Sequence, residues 1–224
     1  MKEPINFLLA GVGGQGTLLA SDVLVNVGLA VGYQAKQAEV HGMSQRGGSV
    51  TSFVRWGEMV YSPLVGAGEV DVLLSFEKLE ALRALSQLRS GAVALINNQV
   101  IEPLTVISGS AQYPSDESIK AAFVKVTPQF EFVDGDAIAR SLGNPKVANV
   151  VLLGALSALL ERDGLAGTTL RPETWLDVIA ERVPARFVEL NRKAFQAGRN
   201  GIEKKNANHL PNAVGKNRFE HQIP

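Results

Sequence analysis

Residues 5–16 read INFLLAGVGGQG. Apart from Asn6, Ile5–Ala10 is an unbroken apolar run without the polar alternation of a half-exposed strand. That pattern predicts a strand buried on both faces, as in a parallel sheet. Gly11, Gly13, Gly14 and Gly16 then follow, with Gln15 among them, and match G-x-G-x-x-G. Thr17–Val31 reads as a largely apolar helix that ends at Gly32. A glycine motif between a strand and a helix is the context in which it can hold a phosphate. Glycines allow a tight turn and close backbone approach, and the amides at the helix start face the anion. The plainer reading is that the glycines only let strand and helix pack closely. In the dinucleotide version an acidic residue after the second strand binds a ribose, and Glu39 stands in that region.

Further along, Gln34–Val40 reads as a second strand and Ser49–Trp56 as a third, with Glu58–Ser62 as its hairpin partner after Gly57. Val70–Phe76 is a buried strand, Glu77–Gln87 a helix, and Ala92–Asn97 and Phe130–Val133 are strands. Val147–Leu160 is an apolar helix interrupted by Gly154. Pro172–Val183 and Pro184–Ala197 each open with a proline in the first helical turn, and Phe187, Leu190, Ala194 and Ala197 share a face of the second. Strands alternating with helices predict a Rossmann-like α/β domain, its mostly parallel sheet flanked by helices, over residues 1–202. Glu203–Pro224 is rich in Asn and Lys and reads as a flexible tail or an arm that docks on a partner.

Composition narrows the function. Lys plus Arg and Asp plus Glu each number 22, so no global field draws nucleic acid or an acidic membrane surface. No apolar stretch approaches the roughly 20 residues of a membrane-spanning helix, and the N-terminus lacks the pattern of a signal peptide. A cytoplasmic location is the expectation. The chain has no cysteine, which excludes a thiolate nucleophile, thiolate-bound zinc and cysteine-ligated iron–sulfur clusters on this chain.

HGMSQRGGSV at 41–50 is the second glycine-bearing stretch. His209 and His221 lie in the tail, so His41 is the only histidine of the folded body. It has no second histidine or cysteine with which to form a catalytic set, and Ser44 and Ser49 lack a G-x-S-x-G context. Recognition remains, with Gly47 and Gly48 offering amides to an anion and Arg46 a charged fork. Gln45, His41 and Ser49 complete the candidate set, while Met43 and Trp56 read as packing residues. Both glycine loops should emerge at strand ends, where they can meet at one crevice. Glu77, Glu80 and Arg83 also follow a strand end, and there a capped, solvated helical turn is preferred over a ligand site. Gly135-Asp136 lacks the third member and the paired asparagine of a thiamine diphosphate motif, so Asp134–Asp136 reads as a turn and helix cap.

GVGGQG at 11–16, HGMSQRGGSV at 41–50 and SPLVGAGEVDVLLSFEKLEALR at 62–83 together resemble the gamma-type domain of 2-oxoacid:ferredoxin oxidoreductases, nearest to the small subunit of the indolepyruvate enzymes. The resemblance covers about residues 5–200. It implies a large partner subunit that carries thiamine diphosphate and iron–sulfur clusters and passes electrons to ferredoxin. It also implies a coenzyme A-dependent oxidative decarboxylation of an aryl pyruvate, with Gly11–Gly16 and His41–Ser49 as candidate coenzyme A contacts. Two alternatives stay open: a stand-alone NAD- or FAD-binding oxidoreductase, and a subunit that serves assembly alone.

Overall fold

The computed structural model describes residues 4–41, 47–165 and 170–209, with the side chains of His41 and residues 206–209 left aside. The strands are β1 (Ile5–Val12), β2 (Gln34–His41), β3 (Ser49–Gly57), β4 (Val70–Ser75), β5 (Leu88–Asn97) and β6 (Phe130–Val133). The helices are α1 (Thr17–Ala30), α2 (Lys78–Ala84), α3 (Leu104–Ile107), α4 (Asp116–Val124), α5 (Gly135–Ser141), α6 (Ala148–Arg162), α7 (Pro172–Arg182) and α8 (Val188–His209). The strands form one sheet in the order β2-β3-β1-β4-β5-β6.

β1, β4, β5 and β6 pair in parallel, whereas β3 runs antiparallel to both β1 and β2. The expected α/β sheet is present, with this one strand reversed. Residues 42–48 explain the reversal, because so short a connection cannot carry a crossover helix but can close an antiparallel pair. β3 thereby has a partner on each edge, and no edge is left for Glu58–Ser62. That segment is not a strand. Its backbone groups go to side chains instead: Val60 N donates to Gln34 Oε1 at 2.9 Å, Lys36 Nζ donates to the Tyr61 carbonyl at 3.0 Å and Arg55 Nη1 to the Ser62 carbonyl at 3.1 Å.

Side-chain alternation along β1 splits the core in two. Phe7 and Leu9 join the layer of α1, α5, α6, α7 and α8, and Leu8 and Ala10 join that of α2 and α4. Trp56 is fully buried against α1, where its Nε1 donates to the Leu24 carbonyl at 3.1 Å, as expected of a packing residue. The buried face of α8 holds Asn191, Ala194, Phe195, Gly198, Arg199 and Ile202. It is therefore rotated from the expected stripe of Phe187, Leu190, Ala194 and Ala197. Polar residues hid it: Arg199 is buried because it donates to Ser157 Oγ and Glu161 Oε2, both at 2.6 Å. α8 continues through His209, into the segment that composition sets apart, and residues 210–224 lie outside the described residues. No described helix is long and apolar enough to cross a membrane.

Candidate functional site

The parallel strands direct their carboxyl ends to one edge of the sheet. α1 leaves β1 toward one layer and α2 leaves β4 toward the other, so chain direction diverges between these neighbours. Open α/β sheets bind ligands at such a divergence. A cleft of about 370 Å³ lies there, lined by Gly14, Gln15, Gly16, Phe76, Asn97, Gln99, Asp136, Pro145, Lys146, Ala148 and Leu152.

The first glycine loop forms one wall. Gly14 and Gly16 hold φ of 106° and 80°, a region that strongly favours glycine. Gly11 admits no side chain, since a Cβ there would stand 2.9 Å from both Gln15 Oε1 and Thr17 Oγ1. Gln15 acts as an internal brace. Its Oε1 accepts from Val12 N at 2.7 Å, and its Nε2 donates to the Phe76 carbonyl at 2.9 Å and to Gln99 Oε1 at 2.7 Å. Asn97, only 2% exposed, extends the bracing. Its Nδ2 donates to Phe76 O at 3.0 Å and to Asp136 Oδ2 at 2.7 Å, and its Oδ1 accepts from Gly135 N at 3.0 Å. Four strand ends are thus tied by side-chain amides.

The two helices at the divergence differ electrostatically. α2 is closed by its own acids: Glu77 Oε2 accepts from Glu80 N at 2.9 Å. α1 starts at Gly16 with no side-chain cap and no acidic residue in its first turn. Beside it the Thr17 hydroxyl is buried without a hydrogen-bond partner among the described residues. Unsatisfied amides and the positive end of the helix dipole favour an anion at α1 and not at α2. Lys146, exposed at the rim, makes no ion pair among the described residues. Asp136 makes another part of the wall negative, so the cleft is polarised.

The second glycine loop meets the first. Gly13 N donates to the Gly48 carbonyl at 2.9 Å, and Val12 pairs with Ser49 across the β1–β3 ladder. Gly47 has φ of 73°, as its expected turn role requires. Ser49 Oγ donates to Glu80 Oε2 at 2.5 Å and so faces the α2 side. Gln45 and Arg46 lie outside the described residues, as do the side chain of His41 and all of Met43. Glu39 sits on β2, and β3 separates it from β1. The dinucleotide fingerprint, which needs the second strand beside the first, is therefore not assembled here. Glu77 and Glu80 are 1% and 3% exposed, not on a solvated turn as expected, because Tyr113, Ile101 and Ser49 fold over them.

Sequence reading did not single out Asn97, Gln99, Asp136, Lys146 or Thr17 as site residues. Position was the available signal for Asn97, which ends a predicted strand, and for Gln99 and Asp136, which follow the carboxyl ends of predicted strands. For Lys146 there was none.

Comparison with known proteins agrees with this architecture. Residues 6–201 match the pyruvate ferredoxin/flavodoxin oxidoreductase family. The chain is 41% identical over 199 residues to indolepyruvate oxidoreductase subunit IorB of Thermococcus kodakarensis, covering 88% of this chain and 95% of that protein. The keto/oxoacid ferredoxin oxidoreductase gamma subunit of Geobacter sulfurreducens superposes with a TM-score of 0.64 at 26% identity, over 89% of this chain and 99% of that one. The fold also recurs in the 2-oxoglutarate:ferredoxin oxidoreductase of Magnetococcus marinus, solved with 2-oxoglutarate, coenzyme A and succinyl-CoA bound. There the TM-score is 0.68 at 16% identity, over 91% of this chain and 32% of that one. With matching sequence along nearly its whole folded length and a matching sheet, the chain belongs to the pyruvate ferredoxin/flavodoxin oxidoreductase family.

Proposed function

We propose that this chain is the small, noncatalytic subunit of a cytoplasmic, thiamine diphosphate- and ferredoxin-dependent oxidoreductase acting on indolepyruvate or a related aryl pyruvate. The observation that carries the reading is the 41% identity to an indolepyruvate oxidoreductase subunit across 95% of that subunit's length. In the assembled enzyme the bond between the oxo carbon and the carboxylate breaks and carbon dioxide leaves. The acyl group forms a thioester with coenzyme A, and the electron pair released passes singly to ferredoxin.

Thiamine diphosphate and the clusters are assigned to a large partner subunit. The residues here do not fit thiamine: Asp136 already accepts from Asn97, and Gly135 belongs to the first turn of α5. The absence of cysteine fits cluster ligands on another chain.

Coenzyme A suits the cleft better. Its phosphates would lie against the amides of Gly14, Gly16 and Thr17 at the uncapped start of α1, with Lys146 supplying positive charge. Arg46, Gln45 and His41 are proposed to approach from the second loop, with the amides of Gly47 and Gly48. Gln15 positions the first loop and does not itself need to touch ligand. Lys146→Ala in the assembled enzyme is expected to raise the KM for coenzyme A about fivefold, as for loss of one exposed charge–phosphate contact, and to leave the KM for the 2-oxoacid unchanged. Equal movement of both values, or of neither, speaks against this placement.

A further inference from the structure

Glu80 raises a question that capping does not answer. Glu77 alone caps α2, yet a second carboxylate is buried one turn later with 3% exposure. A buried carboxylate costs several kcal/mol unless its oxygens are well bonded. Both oxygens are. Oε1 accepts from Arg83 Nη1 at 2.5 Å, a neighbour on the same helix, and Oε2 accepts from Ser49 Oγ at 2.5 Å.

The second bond reaches a distant place. Ser49 is exposed and opens β3 directly after Gly47 and Gly48. Packing gives no reason to tie an exposed serine to a buried acid. The peptide before it does give one, because the Gly48 carbonyl accepts from Gly13 N at 2.9 Å. Glu80, Ser49, Gly48 and Gly13 thus form one chain of contacts from inside the α2 layer to the first glycine loop. The acid is itself fixed, since its own amide donates to Glu77, which also accepts from Ile101 N at 3.1 Å and from the Tyr113 hydroxyl.

We propose that Glu80 is a positioning residue: through Ser49 it holds the second glycine loop against the first, and so sets affinity at a cleft it does not line. This rests on the coenzyme A reading above. Two measurements on Ser49→Ala, Ser49→Thr and Glu80→Gln test it. The first is hydrogen exchange at the Gly13 amide in the purified chain, which needs no ligand. Exchange quickens about tenfold in Ser49→Ala and Glu80→Gln, the scale of one lost charge-assisted bond, and returns to the parent rate in Ser49→Thr, which keeps the hydroxyl. The second is steady-state kinetics of the assembled enzyme. Ser49→Ala raises the KM for coenzyme A by a larger factor than it lowers kcat, and Ser49→Thr restores it. Unchanged Gly13 exchange in Ser49→Ala overturns the tether. Faster exchange with an unmoved KM for coenzyme A overturns its influence on affinity. If the parent enzyme turns over without coenzyme A, the ligand reading fails instead, and the exchange result still decides the tether.

Discussion

Gly16 holds φ at 80° where the first loop becomes α1, and a Cβ there would stand 2.5 Å from Asn149 Nδ2. Two costs coincide in Gly16→Ala. An L-residue in the left-handed region loses about 1–2 kcal/mol, and Asn149 must move. We expect a loss of about 2 kcal/mol in urea unfolding, whereas Lys146→Ala leaves the midpoint unchanged. A second prediction concerns Tyr113. Burial first, then its hydrogen bond to Glu77 and that group's charge, push the phenol far above its ordinary value. A group whose pKa is raised by folding contributes stability in full below its unfolded pKa, here about 10, and loses it above. Stability should therefore fall as pH rises past about 10, and Tyr113→Phe should flatten that part of the curve. An identical alkaline slope in both proteins contradicts this account of Tyr113. Residues of this kind divide sharply in legibility. Gly11–Gly16 could be read because backbone geometry there tolerates little else. Lys146 could not, because a polar residue in a loop looks the same whether or not it lines a cleft.

Among the helices, α6 and α8 pack backbone against backbone at two glycines. A Cβ on Gly154 would stand 1.9 Å from the Phe195 carbonyl oxygen, and one on Gly198 would stand 1.9 Å from that of Val151. Neither obstacle is a side chain that can swing aside, so the helices must separate. Gly154→Ala and Gly198→Ala should each cost about 3 kcal/mol, the upper range for overpacking, and lower the thermal midpoint clearly. An alanine variant as stable as the parent would show that the helices do not meet so closely. Gly154 interrupts an otherwise apolar sequence, which marks its position but not its partner. The partner lies on a helix whose buried face contains Arg199 and Asn191, and polar residues there turned the hydrophobic reading away from the true stripe. β1 and β4 were legible because strands covered on both sides are largely apolar, with Asn6 and Asp71 as the early exceptions, and β6, an edge strand, was legible from Phe130, Phe132 and Val133. α3 and α4 went unread because α3 has no buried residue and α4 buries only Ile119 and Phe123. Glu58–Ser62 failed as a strand for a reason no local pattern contains, namely that β3 already had two neighbours.

At the scale of the whole molecule, the sheet brings two glycine loops, distant in sequence, to one edge and polarises the cleft beside them. It supplies amides, a lysine with no ion pair among the described residues and a braced floor, and the sequence holds neither cysteine nor a thiamine motif. That inventory suits a subunit that presents a ligand to chemistry held elsewhere. The direct test is to produce this chain with and without the proposed large cluster-bearing subunit from the same organism. One then measures coenzyme A-dependent reduction of ferredoxin by indolepyruvate. The account predicts that the two chains co-purify, that only the pair turns over, and that omitting coenzyme A stops acyl transfer. Full activity from the large subunit alone, or ferredoxin reduction by this chain alone, would contradict it.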